Sequence, residues 1–140
     1  MVSEMIIVSS DDKRCVSIGS SSVFHSLYST VLVRLTKNLD QYPLAIGFFE
    51  EKVCEPQNGI QTARQFNLIR DALAKFPPEK AVYDYKDKKR KAPWVDNVSP
   101  VVTSCANLYT TEDGKDLLFE IVSILTYAAY SGSTIRIEEG

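Results

Sequence analysis

The chain has 140 residues, which suits a single domain with a real core, and its apolar content of 44% and charged content of 24% are ordinary for a globular protein. This composition excludes disorder over most of the chain. The net charge of −2 is mild and favours no particular class of partner. No apolar run approaches the roughly 20 residues of a membrane span. The N-terminal apolar run Met5–Val8 lacks a basic segment before it, so we expect no signal peptide and a cytoplasmic location.

Short segments rich in β-branched and aromatic residues predict a small, mainly antiparallel sheet. Its strands are expected at residues 5–9, 14–18, 81–85 and 134–137. Turn-forming residues between the first two strands indicate a hairpin. Residues 105–109 fit a short edge strand.

Apolar residues three or four positions apart predict helices that cover this sheet. The first helix carries its apolar stripe from Phe24 to Leu39, and the serines at positions 20–22 offer an N-cap. Residues 43–54 fit either a short helix or a buried strand. We favour the helix because Glu50-Glu51-Lys52 continues the segment with good helix formers.

Two longer helices follow. One has its stripe from Ile60 to Phe76, with a capping box expected between Asn58 and Gln61. The last has its stripe from Leu117 to Ala128, with Thr110 expected to cap it. The predicted fold is therefore α+β: one domain over residues 1–140, with a small mainly antiparallel sheet packed against three to four helices.

The residue types that carry enzyme chemistry are sparse. Cys15, Cys54 and Cys105 are widely spaced and form no CxxC pair, so we expect buried reduced thiols and no metal site. His25 is the only histidine; it falls on the polar side of the first helix, and no neighbouring acid is evident to orient it as a base. The sequence predicts no catalytic residue and no cofactor.

Two charged stretches remain as candidate binding surfaces. The basic run Lys86–Lys91, with Tyr83, Tyr85 and Trp94 nearby, is the best signal for nucleic-acid binding, because bases stack on aromatic rings while cations meet phosphates. Carboxylates cluster in Glu112–Asp116, where capping of the last helix also accounts for them. Nucleic-acid binding is kept as the alternative function.

Four local patterns, taken in their order and spacing, resemble the immunity 70 family of bacterial polymorphic-toxin systems. They are SVFHSLYST at 22–30, FPPEKAVYD at 76–84, APWVDNV at 92–98 and NLYTTEDGKDLL at 107–118. The similarity spans roughly residues 13–138, which is most of the chain.

This resemblance implies a cytoplasmic protein without enzymatic activity that binds and blocks the C-terminal domain of a cognate toxin. Contact-dependent growth inhibition is one delivery route for such toxins, and many of them are nucleases, which are basic because they bind phosphates. The inhibitor is then expected to occlude the active site with carboxylates and aromatic anchors. The toxin-binding residues that we predict, all in or near loops, are Asp84, Trp94, Asp96, Glu112, Asp113 and Asp116. The resemblance leaves the oligomeric state and the identity of the toxin open.

Overall fold

The computed structural model describes residues 4–92 and 98–139. Its strands are β1 (Glu4–Ser9), β2 (Cys15–Ser20), β3 (Val53–Cys54) and β4 (Ile135–Glu139). Its α-helices are α1 (Ser21–Arg34), α2 (Pro43–Glu51), α3 (Gly59–Leu73), α4 (Cys105–Leu108) and α5 (Leu117–Ser131). Short 3-10 helices lie at Thr36–Gln41, Pro56–Asn58 and Pro78–Lys80.

The four strands form one antiparallel sheet in the order β2-β1-β4-β3. In β1, Met5, Ile7 and Ser9 are buried and alternate with more accessible residues, as expected for a sheet with one face on the core. Ile7 pairs with Val16 of β2 and with Ile137 of β4. The α+β prediction is confirmed, and three of the four predicted strands are present within two residues of their expected bounds.

The predicted strand at 81–85 is wrong. The backbone N–H of Val82 donates to Thr30 Oγ1 at 2.8 Å, and its carbonyl accepts from Ser26 Oγ at 2.9 Å, so helix hydroxyls bind this segment in place of a neighbouring strand. The fourth strand is instead β3, two residues that pair with β4 directly after α2. The helix favoured for residues 43–54 is confirmed over Pro43–Glu51 and ends where Lys52 adopts a left-handed φ of 61°.

Three further local predictions need correction. Residues 105–108 form helix α4 in place of an edge strand, because Ser104 accepts from the Ala106 N–H and Asn107 Oδ1 accepts from the Ser104 N–H. Helix α5 is capped by Asp116, whose carboxylate accepts from the Phe119 N–H at 3.2 Å, and Thr110 lies well before it. Asn58 precedes α3 but makes no side-chain cap bond.

The core lies between the sheet and the helices, and α3 and α5 pack closely within it. Phe66, Ile69, Leu117 and Leu125 are fully buried there. Cys54 and Cys105 are buried as expected, and burial raises the pKa of both thiols. Cys15 is exposed on β2, so the prediction of a buried thiol is wrong at that position. In the described ranges, no helix has the length and apolar character to cross a membrane.

Candidate interaction surface

Helix α1 presents a row of hydroxyl groups that fixes the segment after the 3-10 helix at 78–80. Ser26 and Thr30 both donate to the Val82 carbonyl, and both contact the buried hydroxyl of Tyr109, at 2.9 and 2.7 Å. Ser29 Oγ accepts from the Tyr85 N–H at 3.0 Å. Serines and threonines three or four positions apart on one face of α1 were the signal for this contact, and sequence reasoning missed it because it tracked only apolar residues.

The fixed segment brings Asp84 against His25, which supplies the acid that the sequence did not reveal. His25 Nε2 lies 3.1 Å from Asp84 Oδ1, and Arg90 Nη1 lies 3.9 Å from Oδ2. The Lys86 N–H also donates to Oδ1 at 3.0 Å. The hydrogen bond from His25 is the main cause that lowers the pKa of Asp84. Asp84, with a side chain 18% exposed, therefore has its charge balanced within the chain.

The basic loop, residues 86–91, follows Asp84 in the chain, and two of its cationic side chains lie over aromatic rings. Lys86 Nζ lies 5.7 Å from the centre of the Tyr85 ring, and the Arg90 guanidinium carbon lies 5.1 Å from that of Tyr83. The ring of His25 also packs against Tyr85, with centres 5.5 Å apart. Cation–π contacts of this kind hold long side chains at modest energy while leaving the charges near solvent.

A cleft, which we call the edge groove, lies between β2 and the first half of α5. It encloses about 390 Å³, with Arg14–Ser17 on one side and Glu120, Ser123 and Ile124 on the other. The loop at 111–115 closes one end. This loop is tied to the strand because the Glu112 N–H donates to the Ser17 carbonyl at 2.9 Å.

Carboxylates dominate the rim of the edge groove. Lys115 Nζ is shared between Asp113 at 3.5 Å and Glu120 at 3.9 Å. Asp113 also accepts a short hydrogen bond from the Thr111 hydroxyl, which is the main cause that lowers the pKa of its carboxyl. Glu112 is exposed and has no ion pair among the described residues. Its charge is therefore available to a partner.

The six predicted toxin-binding residues do not form one cluster. Glu112 and Asp113 both line the edge groove. Asp84 lines a different cleft, which lies beside the basic loop. Asp116 caps α5 and lies 3.6 Å from Arg70 of α3, so it joins two helices. Trp94 and Asp96 lie outside the described residues.

Nothing in the described ranges gathers three or more metal-ligating side chains. His25 and Asp84 make a two-residue contact, and its evident effect is to attach the base of the basic loop to α1. The arrangement on both surfaces consists of positioned charges and rings, which suits recognition of another molecule.

Comparison with known proteins gives one match. No curated protein and no solved structure matches the chain. The family model described as Immunity protein 70 matches residues 7–137, which include most of the sheet, the five α-helices of the described ranges and both surfaces. The chain therefore belongs to the immunity protein 70 family.

Proposed function

We propose that this protein binds a cognate toxin domain in the cytoplasm and neutralises it by covering its active site, without a catalytic step of its own. Membership of an immunity family supports the toxin as partner. The observation that carries the choice of surface is the exposed carboxylate pair Glu112 and Asp113 at a formed groove. Contact-dependent growth inhibition is the delivery route that we propose for the toxin.

We propose that the toxin is a nuclease. The active site of a nuclease must attract the phosphates of its substrate. Such a site is rich in Lys and Arg, so carboxylates held in a fixed loop take the place of the nucleic-acid backbone. Complementary charge raises the association rate and rejects acidic partners. Asp113 lies 3.5 Å from Lys115, but its side chain is 61% exposed, so it fits this role better than Asp116, which is 28% exposed and caps α5. Trp94 and Asp96 remain predicted contacts.

The second candidate function is binding of nucleic acid by the basic loop. Its support is the placement of Lys86 and Arg90 on the rings of Tyr85 and Tyr83, since aromatic and cationic groups together suit single-stranded nucleic acid. This function predicts binding to RNA or DNA that weakens steeply with salt.

The test is a titration of the purified protein against the toxin domain encoded immediately upstream of its gene, with a growth-rescue assay beside it. We expect nanomolar affinity, about −12 kcal/mol, and loss of toxin activity. Reversal of charge in Glu112→Lys should weaken binding about tenfold or more, mostly through slower association. Glu51→Lys, at an exposed carboxylate at the end of α2, is the matched control and should bind as the parent does.

Two results would reject the proposal. One is failure of co-expression to rescue growth together with no binding at micromolar concentration. The other is tight, salt-sensitive binding of RNA or DNA by the protein alone, lost when Lys88 and Lys89 are changed to Ala, which would establish the second candidate function.

A further inference from the structure

The outer edge of β2 faces the edge groove, and no strand in the described ranges pairs with β2 on that side. We infer that an extended, basic segment of the toxin adds to this edge as a further strand of the sheet. The inference rests on the proposed function and specifies how the partner is held. Its evidence is the hydrogen-bond register of β2, the space beside it and the charge at the rim.

The register of β2 shows which backbone groups point outward. The Ser9 N–H donates to the Arg14 carbonyl at 3.0 Å, so the backbone groups of Arg14 point toward β1. In an antiparallel strand, the backbone N–H and carbonyl groups of successive residues point to opposite sides. The backbone groups of Val16 therefore also point toward β1, while those of Cys15 and Ser17 point away from it. The bond from the Glu112 N–H to the Ser17 carbonyl agrees with this direction.

Three groups at this edge have no hydrogen-bond partner within residues 4–92 and 98–139: the N–H and carbonyl of Cys15 and the N–H of Ser17. β2 is an end strand in the sheet order, so no strand of the described chain pairs with it on this side. Unpaired groups of this kind are a template for another strand. The bond from Glu112 limits the open edge to about three residues, which sets the length of the added segment.

The groove has the form that strand addition needs. An added strand lies roughly 4.8 Å from its neighbour, and α5 stands across the groove with Ser123 and Ile124 facing the space. Most of the side chains that line the groove are polar or charged, and Ile124 is 3% exposed. A strand placed here would direct alternate side chains toward α5 and toward solvent. An edge strand beside a helix is a recurrent way to bind extended peptides.

The negative charge at the rim of the edge groove favours a basic occupant. Glu112, Asp113 and Glu120 outnumber Arg14 and Lys115, and the Arg14 guanidinium is placed over the Tyr127 ring, 4.9 Å from its centre. A Lys or Arg on the added segment would meet Glu112, the carboxylate without an ion pair among the described residues. A second copy of this chain is disfavoured, because symmetric pairing of two β2 edges would bring two acidic rims together.

The test compares Ser17→Pro with Ser17→Ala in the full chain, titrated with the upstream toxin domain. Proline removes the outward N–H, and the ladder bonds to β1 do not use that group, so proline is tolerated at such an edge position. Alanine retains the N–H and measures the contribution of the hydroxyl alone. We expect Ser17→Pro to bind about tenfold more weakly than Ser17→Ala, the effect of one backbone hydrogen bond.

Amide hydrogen exchange of the parent protein gives a readout that does not depend on how the proline variant folds. In the complex, exchange at Cys15 and Ser17 should slow, while exchange at Val16, which already faces β1, should change little. If the toxin binds and is neutralised but both amides exchange as in the free protein, strand addition is wrong and the proposed function stands.

Two further outcomes are decisive. Absence of any toxin binding would remove both the proposed function and this inference. Slowed exchange at Cys15 and Ser17 that depends on protein concentration without toxin would show that a second copy occupies the edge, which overturns the basic segment as occupant.

Discussion

At the scale of single residues, the hydroxyl of Tyr109 contacts the Ser26 and Thr30 hydroxyls of α1, which bind the segment at 81–85. Tyr109 is 2% exposed, and burial raises the pKa of its phenol to about 12. Tyr109→Phe leaves the hydroxyls of Ser26 and Thr30 with one partner fewer in a buried site. We expect a loss of about 1–2 kcal/mol in the free energy of unfolding, measured by urea denaturation.

The matched control is Tyr28→Phe. The hydroxyl of Tyr28 donates to Glu50 at 2.8 Å in an exposed contact, where water replaces the lost partner, so the loss should be clearly smaller. Equal losses for the two variants would mean that the buried network adds no specific stability.

At the scale of secondary-structure elements, α3 and α5 pack closely where Gly59 begins α3. A Cβ atom placed on Gly59 would lie 2.6 Å from the Leu125 carbonyl oxygen and 3.2 Å from the Ala129 Cβ atom. Backbone cannot move aside as a side chain does, so Gly59→Ala should separate the helices and destabilise the protein by about 1–3 kcal/mol in urea denaturation.

Gly47→Ala is the opposite case in the same protein. Gly47 lies inside α2, and a Cβ atom there would meet nothing within 4 Å. Gly47→Ala reduces the backbone freedom of the unfolded chain, so it should stabilise the protein by about 0.5–1 kcal/mol. Stabilisation by both variants would show that the contact of α3 with α5 tolerates a methyl group.

Elements with a clear local pattern were predictable, and those that depend on distant partners were not. Residues 5–9 form a short apolar, β-branched segment, and this local composition was enough to predict β1. Residues 81–85 were predicted as a strand from their β-branched and aromatic residues, but hydroxyls of α1 bind their backbone. The spacing of serines and threonines on α1 indicates a polar contact, but it does not show that the partner lies 52 positions away. β3 has two residues, too few to show a period.

The two surfaces were predictable to different degrees. Glu112 was chosen as a loop carboxylate, and its exposure fits that choice, but only the sheet order reveals that it borders a free strand edge. The partner of His25 lies 59 positions away, so composition could not show that Asp84 is already paired.

At the scale of the whole molecule, three carboxylates contribute to the stability of the fold in their deprotonated form. Hydrogen bonds lower the pKa of Asp11, Asp84 and Asp113 below 3.8. A lowered native pKa adds stability above pH 3.8, and this contribution disappears as the pH falls through the native pKa. The urea midpoint should therefore fall as the solution is acidified below about pH 4, and Asp84→Asn should make that fall shallower. An unchanged acid profile in Asp84→Asn would contradict the assigned contact with His25.

The position of β4 between β1 and β3 has a consequence for biosynthesis. β1 and β2 are adjacent in the chain and can pair early, but β3 has no strand partner until residues 135–139 have been made. Contacts between segments far apart in a chain form late and slowly compared with local ones. The nascent chain thus exposes the inner face of an unfinished sheet until β4 has been made. On the proposed function, a cell is protected by its reserve of completed molecules, and new synthesis restores that protection only after a delay.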